Sequence, residues 1–124
     1  MGDNDTPRTI LLYACSGGAN VAEAADRACR RLAASGKGTM FCLAGVGAGI
    51  ETMLETARRA DLNIIIDGCD VDCAKKIFEN AGIANVRQIR VTDLDITKRK
   101  GQPATRDEID VVVKRVGDLV AEGG

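Results

Sequence analysis

Asn63-Ile64-Ile65-Ile66-Asp67-Gly68-Cys69-Asp70-Val71-Asp72-Cys73 decides how the rest of the chain is read. The three consecutive isoleucines are apolar and β-branched, the composition of a strand covered on both faces. Asp67 and Gly68 end the run. Asp70 then suits the cap of a helix predicted to begin at Val71, with Cys73 in its first turn. Two cysteines therefore stand at a strand-to-helix junction, Cys69 just outside the helix and Cys73 just inside. In an open parallel sheet, the carboxyl edge of the strands is where ligands bind.

Working outward, Cys15, Cys42 and Cys69 are spaced 27 residues apart. Each follows or ends a short apolar pattern: Thr9 to Ala14, Thr39 to Cys42, and Ile64 to Ile66. The chain therefore reads as βα units of nearly equal length, with a thiol at the same place in the first three. In a parallel sheet these thiols converge on one edge, and Cys73 overhangs them.

The remaining segments fit the same plan. Asn20 and Glu23 have the spacing of a capping box for the first helix. Val21, Ala25, Ala28, Cys29 and Leu32 form its apolar face, so Cys29 reads as a buried core thiol. Gly36 suits the helix stop. Leu43 to Gly49 reads as a glycine-rich turn, followed by a second helix with Ile50, Met53, Leu54 and Ala57 on one face. The third helix faces the core with Ala74, Ile77, Phe78 and Ala81, and Gly82 closes it. Val86 to Val91 suits a fourth, edge strand. Asp93 to Ala104 is a charged loop. Thr105 and Glu108 frame a capping box for the last helix, whose stripe is Ile109, Val112, Val113, Val116, Leu119 and Val120.

The order βαβαβαβα argues for one Rossmann-like α/β domain in three layers, a four-stranded parallel sheet with helices on both faces. Right-handed crossovers favour the strand order 2-1-3-4. The domain is expected over residues 8–121, after a disordered tail at 1–7 and before a frayed end at 122–124.

At 124 residues the chain is long enough for a real core without staples. The net charge of −1 gives no broad attraction to nucleic acid or an anionic membrane. Tyr13, Phe41 and Phe78 are the only aromatic residues, too few for a base-stacking surface. No apolar run has the length of a membrane span, and the polar N-terminus lacks the features of a signal peptide. A cytoplasmic location is expected, where thiols stay reduced. Five cysteines in that setting point to metal or redox chemistry before a disulfide framework.

Three chemistries compete for the cysteine edge. The first is a metal site of Cys15, Cys42, Cys69 and Cys73. Adjacent strands lie about 4.8 Å apart, and Zn–S bonds near 2.3 Å require sulfurs a little under about 4 Å apart. Zinc accepts four thiolates, and an iron–sulfur cluster is the less favoured alternative. With no histidine in the chain, thiolate is the main soft ligand. The second is a thiol-dependent redox or sulfur-handling enzyme using Cys69 and Cys73, with the helix dipole favouring the thiolate. Asp67, Asp70 and Asp72 oppose that ionisation, and a bound cation would relieve the conflict. The third is anion binding at Ser16 to Ala19, a small-residue turn before a helix. Val21 stands where a phosphatase loop needs arginine, the Gly-Lys-Ser/Thr of a nucleotide loop is missing, and the Gly45, Gly47 and Gly49 spacing only approximates a dinucleotide fingerprint. Lys98-Arg99-Lys100 reads as solvated loop, or as a lid over the cysteine edge.

Taken together, Cys15-Ser-Gly-Gly-Ala-Asn20, Phe41-Cys-Leu-Ala-Gly45 and Asp67-Gly-Cys-Asp-Val-Asp-Cys-Ala-Lys-Lys76 resemble the small family named for its Asp-Gly-Cys motif, the DGC domain. The resemblance runs from Thr9 to Val120. It implies four metal-chelating cysteines, matching Cys15, Cys42, Cys69 and Cys73, with zinc as the metal. It leaves biochemical activity, catalytic residues and protein partners open.

Overall fold

The computed structural model describes residues 8–122. The expected tail at 1–7 and the two terminal glycines lie outside the described residues. In chain order the elements are β1 (Ile10–Ala14), α1 (Asn20–Ala34), β2 (Thr39–Met40), α2 (Leu43–Gly47), α3 (Glu51–Arg59), β3 (Leu62–Asp67), α4 (Cys73–Ala81), β4 (Val86–Arg90), a 3-10 turn (Val91–Leu94) and α5 (Arg106–Ala121).

The strands form one parallel sheet in the order β2-β1-β3-β4, as the connection rules predict. β1 and β3 are its centre, and every residue of both is buried. Side chains alternate between the faces of a strand, so this pair feeds two cores. Leu12, Ile64 and Ile66 pack with Val21, Ala28 and Leu32 of α1 and with Val112, Val116 and Leu119 of α5. Tyr13 and Ile65 pack on the other face with Val46, Ala57, Ala74 and Phe78. The strand order places a crossover point between β1 and β3, because the chain leaves β1 toward β2 and leaves β3 toward β4.

Both cores also take in polar groups. Cys29 is fully buried in the α1–α5 core, and burial pushes its thiol up to about 12, consistent with its core reading. Tyr13 donates to Asn63 Oδ1 at 2.7 Å, while Asn63 donates to the Ala57 carbonyl at 2.9 Å. Among the described residues no buried side-chain nitrogen or oxygen lacks a partner. No helix among them is long and apolar enough to cross a membrane.

The structure departs from the sequence reading in local ways. Leu43–Gly47 is a short helix, where its glycines suggested a turn. The Cys42 sulfur accepts from the Gly45 amide at 3.3 Å and caps it, and buried Val46 anchors it in the core. Packing thus overrides the poor helix propensity of glycine. In the stripe assigned to the second helix, only Ala57 is buried, and Ile50 is 45% exposed. α4 begins at Cys73, two residues later than expected, with Asp72 before it in a left-handed conformation (φ 57°). Asp70 does not cap it; Asp67 accepts from the amides of Ala74 and Lys75 at 2.8 and 3.1 Å. The capping box expected at Asn20 and Glu23 is also absent. α1 follows Ala19, without a side-chain cap, and both residues hold the 97–104 loop instead. The box at Thr105 and Glu108 is formed.

Candidate functional site

The site grows from the paired ends of β1 and β3. Ala14 lies beside Ile66, so the chains leave these strands side by side. The Cys15 amide donates to the Ile66 carbonyl at 3.3 Å, and the Gly68 amide donates to the Cys15 sulfur at 3.2 Å. Gly68 is required by the close approach of α1. A Cβ there would lie 3.0 Å from Val21 Cγ2 and 3.1 Å from the Ala22 amide nitrogen. Cys69 follows, its carbonyl accepts from the Asp72 amide at 3.2 Å, and the tight turn delivers Cys73 as the first residue of α4.

These turns line an open cavity of about 450 Å³ at the carboxyl edge of the sheet. Cys15, Cys69 and Cys73 share its wall with Gly17, Gly18 and Lys98. Cys15 and Cys69 are half-buried, and Cys73 is exposed. Cys42, also exposed, follows β2 on the far side of β1 and does not line the cavity. Among the described residues, no group of three or more Cys, Asp or Glu side chains stands at metal-holding distances. The donor chemistry nonetheless suits a thiophilic cation: three sulfurs face one cavity, and no carboxylate lines it.

The electrostatics differ from the sequence expectation. Burial raises the Cys15 pKa; the Gly68 amide opposes this, while Asp67 and the nearby Cys73 and Cys69 add to it. Two of the three flanking carboxylates are engaged elsewhere. Asp67, 1% exposed, is held by the α4 amides and by Gln88 at 2.9 Å. Asp72 accepts from Arg90 at 2.7 and 3.0 Å, and this arginine holds its carboxyl below the ordinary range. A cation contacts Cys69: Lys98 Nζ lies 3.4 Å from its sulfur.

Lys98 is held there by a strap, the segment around Lys98-Arg99-Lys100. The fully buried side chain of Asn20 accepts from the Arg99 amide and donates to the Thr97 carbonyl at 3.0 Å. The Gly101 amide donates to the Gly18 carbonyl at 3.2 Å. The Arg99 guanidinium meets Glu108 with bonds of 2.7 and 3.0 Å, which pull the Glu108 carboxyl down to about 2. The loop is thus a fixed wall of the cavity. Asn20, Glu108 and Arg90 were not singled out as site-building residues from sequence. An asparagine immediately before an apolar helix face was the available signal for the first.

Comparison with known proteins accords with the three cysteine motifs. The chain is 27% identical over 114 residues to the anaerobic and virulence modulator AnvM of Pseudomonas aeruginosa strain PAO1, an alignment covering 92% of this chain and 87% of that protein. No solved structure matches the chain. The profile of the DGC domain matches residues 11–116, which include Cys15, Cys42, Cys69 and Cys73. The chain belongs to the DGC-domain family.

Proposed function

We propose that this protein binds a thiophilic metal ion, zinc before an iron–sulfur cluster, through Cys15, Cys69 and Cys73, with Cys42 supplying the fourth thiolate. The observation that carries this reading is the placement of three sulfurs on the wall of one cavity at the crossover edge. All five cysteines are free thiols, which suits a reducing cytoplasm. Four thiolates would make a closed structural zinc site; three would leave a position open to a ligand, as in catalytic sites. The chain's own part is to hold Cys15 against the Gly68 amide and to carry Cys69 and Cys73 on one turn. Metal content measured on wild type and on Cys15→Ser and Cys42→Ser tests the assignment and separates three ligands from four.

A second reading is supported by the contact between Lys98 and Cys69. A cation beside a sulfur, with Cys73 at the start of α4, is the setting of a reactive thiol pair. In that reading Cys69 and Cys73 exchange with a low-molecular-weight disulfide, becoming a disulfide while the partner leaves as two thiols. Mass analysis of the metal-free protein after incubation with such a disulfide tests it.

A further inference from the structure

The cavity carries a charge pattern that the thiol chemistry does not use. Lys98 and Lys100 both line it, with no carboxylate on the wall. In a chain of net charge −1 this is a local positive excess. Both lysines are exposed; among the described residues Lys98 is hydrogen-bonded only to the Cys69 sulfur, and Lys100 has no hydrogen-bond or ion-pair partner. The Gly17–Gly18 turn lines the same cavity and is tied to the strap by the Gly101 amide, which donates to the Gly18 carbonyl at 3.2 Å. The amides of both glycines donate to no protein acceptor among the described residues. Arg99, between the two lysines, is turned away and consumed by Glu108.

That withdrawal bears on the kind of ligand. A planar carboxylate is best matched by the two-pronged guanidinium, whereas lysines act as point charges that suit the several oxygens of a tetrahedral anion. Ammonium groups and amides that donate to no protein acceptor among the described residues therefore line one cavity. A volume of about 450 Å³ exceeds that of a bare ion and leaves apolar wall at Val21 and Val71 for an attached group.

We propose that this cavity binds a small tetrahedral oxyanion of the phosphate or sulfate class, held between Lys98 and Lys100 and the Gly17–Gly18 turn. The site deepens the thiol-site reading, because the anion sits beside Cys69, but its donors are ammonium groups and amides rather than sulfurs. The strap through Asn20, Arg99 and Glu108 fixes the backbone that carries the lysines before the anion arrives, which lowers part of the ordering cost of binding.

The test is titration of metal-free and zinc-treated protein with inorganic phosphate and with phenyl phosphate, followed by calorimetry and amide NMR, with chloride at matched ionic strength as control. Saturable phosphate binding is expected, with shifts at Gly17, Gly18 and Cys69. The Lys98→Gln/Lys100→Gln variant should bind roughly tenfold more weakly, the loss of charge-assisted bonds, with an unchanged unfolding midpoint. Tighter binding of phenyl phosphate would assign a substituted anion, and equal or weaker binding the free ion. Absence of saturable binding, equal affinity in the double variant, or equal competition by chloride would overturn the proposal. Lysine-dependent phosphate binding in a protein that takes up no zinc would leave this site standing and remove the metal reading.

Discussion

The side chain of Asn20 and the backbone of Arg99 are joined across the fold: the asparagine oxygen accepts from the Arg99 amide while its nitrogen donates to the Thr97 carbonyl at 3.0 Å. Asn20 is fully buried, so these bonds are made out of water and their loss is costly. Asn20→Ala should destabilise the protein by about 2 kcal/mol, the scale of orphaning buried polar groups. It should also speed hydrogen exchange at Arg99 and Gly101. Chemical denaturation and exchange check both, and unchanged exchange at Arg99 would contradict the strap.

Asp67 performs for α4 the work expected of Asp70. Its two oxygens accept from the Ala74 and Lys75 amides, so Asp67→Ala should cost about 1–2 kcal/mol by loss of a helix cap. Asp70→Ala should cost far less. Urea unfolding of the two variants separates them, and equal losses would contradict the assignment.

Gly68 lies where β3 meets α1. A methyl group there would press on Val21 and the Ala22 amide, both in the first turn of a packed helix. Gly68→Ala should cost about 1–3 kcal/mol, as overpacking does. It should also shift the NMR signals of Cys15, whose sulfur the Gly68 amide holds. A variant as stable as wild type would show that α1 gives way freely.

Glu108 links the strap to acid stability. Its folded pKa is about 2 against an ordinary 4.5, with the Arg99 bond as the largest cause. A depressed carboxylate pKa contributes stability above the unfolded value that is lost as pH falls through the folded one. Stability should therefore decline between about pH 5 and pH 2, and Glu108→Gln should flatten that decline. Urea midpoints across this range measure the effect; identical slopes would contradict it.

The architecture was legible because its signals are local and strong. Three isoleucines in a row specify a buried strand, and regular alternation of strand and helix with right-handed crossovers leaves few strand orders. The cysteine repeat likewise pointed to the edge where Cys15 and Cys69 share a cavity with Cys73, but its middle member, Cys42, follows β2 and does not line that cavity. Packing turned the expected Leu43–Gly47 turn into a helix, and the capping errors arose where a polar side chain acts at long range. Asn20 and Glu23 match a local capping box, but they bond to residues 97–104. Asp67, Asp70 and Asp72 look alike on the page, yet a strand-end position commits Asp67 to α4, and Arg90 from the edge strand claims Asp72. Asp67 still pushes the Cys15 thiol up, but both it and Asp72 are held by protein donors, and the Lys98-Arg99-Lys100 segment lines the cavity edge that its lid reading indicated.

The central claim is tested most directly by metal content, measured by mass spectrometry on protein purified without oxygen or affinity-tag metals, for wild type, Cys15→Ser and Cys42→Ser. About one zinc per wild-type chain is expected, the occupancy of a single thiolate site, with loss of zinc in both variants. Zinc retained in Cys42→Ser alone would reduce the site to the three cavity thiols. Unchanged zinc in both variants, or none in wild type, would contradict the metal-binding account.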